Sequence, residues 1–91
     1  MTLSQEQYKI LTEWIAGNLI RTKTYNKSYD TGTIRTCFEQ SDVGFYLDNE
    51  TFNQVMVDCG YTPKYPGHDQ YWCFTVSRKS PAFIQYFGRN R

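Results

Sequence analysis

Few side chains of this sequence stand where they could do acid–base or covalent chemistry together. The one histidine, His68, lies between Gly67 and Asp69 in a run of turn residues, and no nucleophile can be assigned to it from sequence. An exposed turn histidine is the expected reading. Asp42, Asp48 and Glu50 could in principle meet around a divalent cation, yet their spacing is not that of an EF-hand and nothing supplies a cage. Cys37, Cys59 and Cys73 cannot all pair within one chain, and no two have C-x-x-C or other metal-ligand spacing. Glycine-rich phosphate loops, paired-histidine motifs and nucleophile elbows are lacking. The expectation is a protein without catalytic residues, metal or cofactor.

What the spacing does offer is recognition by charge. Net charge is +1, but its sign changes along the chain. Glu39, Asp42, Asp48, Glu50 and Asp58 fall between residues 37 and 58 with no base among them. On either side, Arg21, Lys23, Lys27 and Arg35, then Lys64, Arg78, Lys79, Arg89 and Arg91, outnumber Asp30 and Asp69. Grouped acids attract a basic surface, and complementary charge speeds encounter and selects partners. Helix capping and solubility are the plainer roles for any one of them.

The elements that must carry these residues are legible in part. Ser4 and Gln7 form a reciprocal helix-start pair, with Leu3 placed to staple onto Tyr8. Tyr8, Leu11, Ile15 and Leu19, with Trp14, continue one apolar stripe to about Ile20. Residues 21–30 read as a polar, basic connector. Asp30 or Thr31 caps a second helix over residues 31–40, whose inner face is Ile34, Cys37 and Phe38. Residues 44–47 read as a compact aromatic strand. Asp48 or Asn49 then caps a third helix with Phe52, Val55, Met56 and Cys59 at core-facing spacing, stopped by Gly60. Its opposite face would present Glu50, Thr51, Asn53, Gln54 and Asp58.

Residues 62–69 have the turn chemistry of a hairpin tip, and the alternation over 71–76 makes the following strand, with residues 60–62 pairing back. Ser80-Pro81 can cap a last helical turn through Phe83, Ile84, Tyr86 and Phe87, ended by Gly88. Helix, helix, short strand, helix, two-stranded wing and a final helical turn is the order of a winged helix. The expected fold class is thus α+β, a single winged-helix-like domain over residues 1–91.

Composition agrees with a small, aromatic core. A chain of 91 residues buries roughly 60–65% of the surface it exposes when unfolded. Aromatics make up 18% of it, and eight are Tyr, whose half-wet rings suit interfaces as well as core edges. The cysteines sit among apolar neighbours, the pattern of buried thiols in a reducing compartment. With no signal peptide and no apolar run long enough to span a membrane, a cytoplasmic protein is expected.

Several runs together, Ile34-x-x-x-Phe38-Glu39, Gly44-Phe45-Tyr46-Leu47-x-Asn49-x-x-Phe52-x-x-x-Met56, Cys59-Gly60-Tyr61 and Tyr71-Trp72-x-Phe74-x-Val76-Ser77-x-Lys79-Ser80-Pro81-Ala82, resemble small proteins encoded by phages and mobile elements of Gram-positive bacteria. The resemblance covers residues 31–82 and rests on packing and turn residues, so it implies a fold and an accessory role in a bacterial host but no functional residue. Control of transcription and inhibition of a host defence system such as CRISPR are the roles it implies.

Two functions follow as expectations. The leading one is a protein partner, a basic nucleic-acid-binding host protein, held by Glu39, Asp42, Tyr46, Asp48, Glu50, Asn53, Gln54, Asp58, Tyr61 and Tyr65. The alternative is duplex DNA, with Asn53 and Gln54 reading bases while Lys23, Lys27, Arg35, Lys64, Arg78 and Lys79 hold phosphates. Glu50 and Asp58 oppose that alternative by repelling phosphates. Phe83, Tyr86 and Phe87 are the candidate contacts of a homodimer.

Overall fold

In the computed structural model, which describes residues 1–64 and 68–89, four helices surround one apolar core and a two-stranded antiparallel sheet lies at its edge. The hairpin tip expected at Tyr65, Pro66 and Gly67 lies outside the described residues.

Helix α1 (Gln5–Asn18) starts at the expected box: Ser4 Oγ accepts from the Gln7 amide and Gln7 Oε1 from the Ser4 amide, both at 3.0 Å. Leu11, Trp14, Ile15 and Leu19 line its buried stripe. Tyr8, expected in that stripe, is instead 40% exposed and leans outward. Helix α2 (Thr31–Glu39) is capped by Asp30, whose carboxylate accepts from the Thr33 amide at 3.1 Å. Its Ile34, Cys37 and Phe38 pack inward as expected.

The strand expected at residues 44–47 does not form. Gly44 turns back onto the end of α2, donating to the Ser41 carbonyl at 3.1 Å. It sits so close that a Cβ there would collide with the Phe38 and Glu39 carbonyl oxygens. The Leu47 amide then bonds the Glu39 carboxylate rather than a neighbouring strand. Aromatic packing replaces ladder pairing, with Phe45 edge-on to Phe38 at 5.0 Å between centroids.

Helix α3 (Asn49–Asp58) begins at Asp48, which accepts from the Thr51 amide at 2.8 Å. It ends at Gly60, whose φ of 92° lets the Tyr61 amide reach back to the Met56 carbonyl at 3.1 Å. Strands β1 (Pro63–Lys64) and β2 (Cys73–Phe74) pair as Pro63 with Phe74 and Lys64 with Cys73, so the wing begins later than residues 60–62. On the far side of β2 runs the connector, by bridges from Arg21 to Val76 and Asp30 to Cys73 and by Thr22 and Asn26 amides donating to the Thr75 and Phe74 carbonyls. Both edges of β2 are therefore covered.

Helix α4 (Pro81–Arg89) is longer than the expected single turn. Ser80 does not cap it with its hydroxyl, which accepts from the Ile20 amide at 2.8 Å and donates to the Ser77 carbonyl at 2.7 Å. Phe83 is buried beneath Tyr29, stacked at 4.1 Å, whereas Ile84 and Phe87 face outward. Among the described residues no helix is long and apolar enough to cross a membrane.

Candidate functional site

Helix periodicity sorts α3 into two faces. Phe52, Val55 and Met56 point into the core, and Glu50, Gln54 and Asp58, four residues apart, form an exposed row. Asp58 accepts from the Tyr8 hydroxyl and from Gln54 Nε2, both at 3.0 Å, and so ties the start of α1 to the end of α3. That bond, with the negative charge behind it, raises the Tyr8 hydroxyl above its ordinary pKa. Between the two helices opens a cleft of about 430 Å³, walled by Leu3 and Tyr8 on one side and Glu50, Gln54, Val55 and Asp58 on the other. Among the described residues no lysine or arginine lines it, although Met1, whose ammonium lies 3.4 Å from Asp48, does.

The other acids of the 37–58 block are put to structural use or stand apart. Glu39 pairs with Arg35 at 2.7 Å and also accepts from the Leu47 amide. Asp48 is the α3 cap, and the Met1 ammonium approaches it at 3.4 Å. The Thr51 hydroxyl, then its amide and the Met1 ammonium, hold the Asp48 carboxyl below the usual carboxylate range. Asp42 is exposed in the loop between α2 and α3, as is Tyr46, at 73% the most exposed aromatic among the described residues.

Two residues expected on the surface are inside. Asn53 is completely buried: its Oδ1 accepts from the Thr31 hydroxyl at 2.6 Å, and its Nδ2 donates to the Gln70 carbonyl at 2.7 Å. Thr31 in turn receives the Trp72 amide at 2.9 Å. The amide of Asn53 thus clamps α2, α3 and residues 70–72 together and is out of reach of a base edge or a partner. Tyr61 is 6% exposed, and burial pushes its hydroxyl pKa up. Tyr65, the third tyrosine expected to anchor a partner, lies outside the described residues.

The basic residues divide likewise. Arg35 is held within the fold by Glu39, by Asn49 Oδ1 at 2.8 Å and by the Leu47 carbonyl at 3.4 Å, so its guanidinium is engaged in the interior of the α2–α3 region. Lys27 and Arg78, exposed, line a second cleft of about 480 Å³ together with Thr22, Thr24, Tyr25 and Ser77. Lys64 reaches the same place from β1, its Nζ 5.1 Å from the centre of the Tyr25 ring. Lys23 and Lys79 are exposed beside this region but do not line the cleft. Of the expected dimer contacts, Phe83 is buried, Tyr86 half-buried and Phe87 exposed.

Tyr8 and Tyr25 are the residues of these clefts that sequence reasoning missed. Tyr8 fits the α1 stripe by spacing, and only its distance from Leu11 at the helix start hints that it could turn outward. Nothing local marks Tyr25. For chemistry, burial pushes the Cys37 thiol up to about 11 and raises Cys59 as well, so both stay protonated at neutral pH. Among the described residues no group of three or more His, Cys, Asp or Glu is placed to hold a metal ion. No family model, curated protein or solved structure matches the chain.

Proposed function

We propose that this chain is a non-enzymatic, winged-helix-like binding module that docks a basic protein surface into the cleft between α1 and α3. One observation carries the reading: Glu50, Gln54 and Asp58 stand in a row along that cleft, and among the described residues no lysine or arginine lines it, the Met1 ammonium being paired with Asp48. An incoming lysine or arginine would lay its aliphatic stem on Leu3 and the Tyr8 ring and pair its charge with Glu50 or Asp58, which stand about 12 Å apart along α3 and so suit two cations of one basic surface. Tyr46, 73% exposed, offers an aromatic for a second anchor.

The resemblance to phage and mobile-element proteins extends the proposal. The basic surface belongs to a nucleic-acid-handling defence complex of the bacterial host, in its cytoplasm, and covering that surface inhibits the complex. Duplex DNA read by α3 is the weaker reading, because Asn53 is spent in the interior and Glu50 and Asp58 would face phosphates.

The test begins with capture from a bacterial lysate, with and without nuclease, and identification of what is retained. Glu50→Lys combined with Asp58→Asn should then abolish binding of that partner while circular dichroism shows the fold intact. Retention of the partner by the charge-altered variant, or submicromolar binding of wild type to duplex DNA near physiological salt, would overturn the proposal.

A further inference from the structure

The second cleft carries an independent inference, since it lies toward the other end of α1 and is built from different residues. Its walls are brought together by pairing that only the fold creates: the Thr22 and Asn26 amides hold the connector to β2 at 2.9 and 3.1 Å. The connector keeps its shape through bonds of its own, from the Thr22 hydroxyl to the Thr24 carbonyl at 2.9 Å and from the Ser28 amide to Asn26 Oδ1 at 3.0 Å. Cations thus arrive from both chain segments, Lys27 and Arg78, around Tyr25, and among the described residues no acid lines the cleft. Hydroxyls and amides make up most of the remaining wall.

Cations, hydroxyls and one aromatic ring in a concave site suit a phosphodiester strand. Duplex readout needs an element that protrudes into a groove about 12 Å wide. A single strand instead follows a positively charged groove and stacks bases on aromatic side chains. We propose that the cleft between the connector and the segment after β2 binds single-stranded nucleic acid, with Lys27 and Arg78 on phosphates and Tyr25 against a base.

Fluorescence anisotropy of a labelled oligothymidine of roughly 12 nucleotides tests this. Two phosphate contacts on a single strand give a log–log salt slope of about −1.4, so affinity should fall roughly sevenfold between about 50 and 200 mM salt. Lys27→Ala and Arg78→Ala should each weaken binding about two- to fivefold, the range of an exposed ion pair, and each should make the salt slope shallower by about 0.7. Lys9→Ala, which removes the same charge from the exposed face of α1, should change neither. Tyr25→Ser should weaken the oligonucleotide but leave inorganic polyphosphate unaffected. The proposal fails if the oligonucleotide does not bind at low salt, or if Lys9→Ala weakens it as much as the cleft variants. It also fails if Tyr25→Ser has no effect, or if duplex DNA binds more tightly than the single strand. Because Glu50 and Asp58 are untouched in every variant, failure here leaves the α1–α3 proposal standing.

Discussion

Replacing Asn53 by alanine should be among the most damaging single changes on α3, although sequence places that residue on the outer face. The side chain makes two hydrogen bonds in a fully buried position, with Thr31 at 2.6 Å and Gln70 at 2.7 Å. Truncation orphans the Gln70 carbonyl. It leaves the Thr31 hydroxyl only the longer alternative of the Trp72 carbonyl at 3.3 Å. Each orphaned buried group costs about 1–3 kcal/mol, so Asn53→Ala should lose about 2–4 kcal/mol. At about 4–8 °C per kcal/mol for a domain of this size, Tm should fall by roughly 8–32 °C. Urea unfolding followed by circular dichroism reads the loss as a lower midpoint with an unchanged m-value.

Gln54→Ala, one residue away on the exposed row, should stay within about 0.5 kcal/mol of wild type. Asn53→Asp should be at least as harmful as Asn53→Ala, because a carboxylate cannot donate to the Gln70 carbonyl and its charge would be buried. A double-mutant cycle with Thr31→Val should give a coupling of about 0.5–3 kcal/mol. If Asn53→Ala unfolds within experimental error of wild type, the interior clamp is wrong and the amide is available on the surface after all.

Further predictions concern the loop and caps around α3. The carboxyl of Asp48 is held below its ordinary pKa in the folded state, so its contribution is present above the unfolded value of about 3.9 and is lost as pH falls through the depressed folded value. Asp48→Asn, which keeps a good cap, should therefore show a smaller loss of stability than wild type in urea titrations carried below about pH 4. Gly44→Ala should cost about 1–3 kcal/mol or more in chemical denaturation, since its Cβ meets backbone oxygens that have no room to retreat. Arg35→Lys should cost about 1–3 kcal/mol, because an ammonium cannot serve Asn49, Glu39 and the Leu47 carbonyl at once. The same variant should bind oligonucleotide as wild type does.

What sequence disclosed was local. The Ser4–Gln7 box, the Asp48 cap, the inner face of α3 and the stop at Gly60 all depend on residues within a few positions of one another, and each stands as expected. Features set by distant partners were hidden. Nothing near residues 44–47 says that Gly44 must fold onto α2, or that Glu39 will take the Leu47 amide. The polar connector gives no sign that it will lie along β2, because its own side chains carry no alternation to announce a strand. Asn53 misleads for a definite reason: a polar residue beside Gln54 reads as solvent-facing, and its partners are 22 and 17 positions away. The candidate site inherits that division. Glu50, Gln54 and Asp58 were legible from helical spacing, whereas Tyr8 and Tyr25 took their places only through long-range packing.

The two clefts carry side-chain charge of opposite sign in a chain whose net charge is only +1. They lie toward opposite ends of α1, whose fourteen residues span about 21 Å. Neighbouring copies in dilute buffer should therefore attract anionic cleft to cationic cleft, with little overall repulsion to keep them apart. Added sodium chloride screens that attraction once the Debye length drops to about 10 Å. Solubility should consequently rise on the first additions of salt, a salting-in behaviour, and light scattering should lose its concentration dependence over the same range.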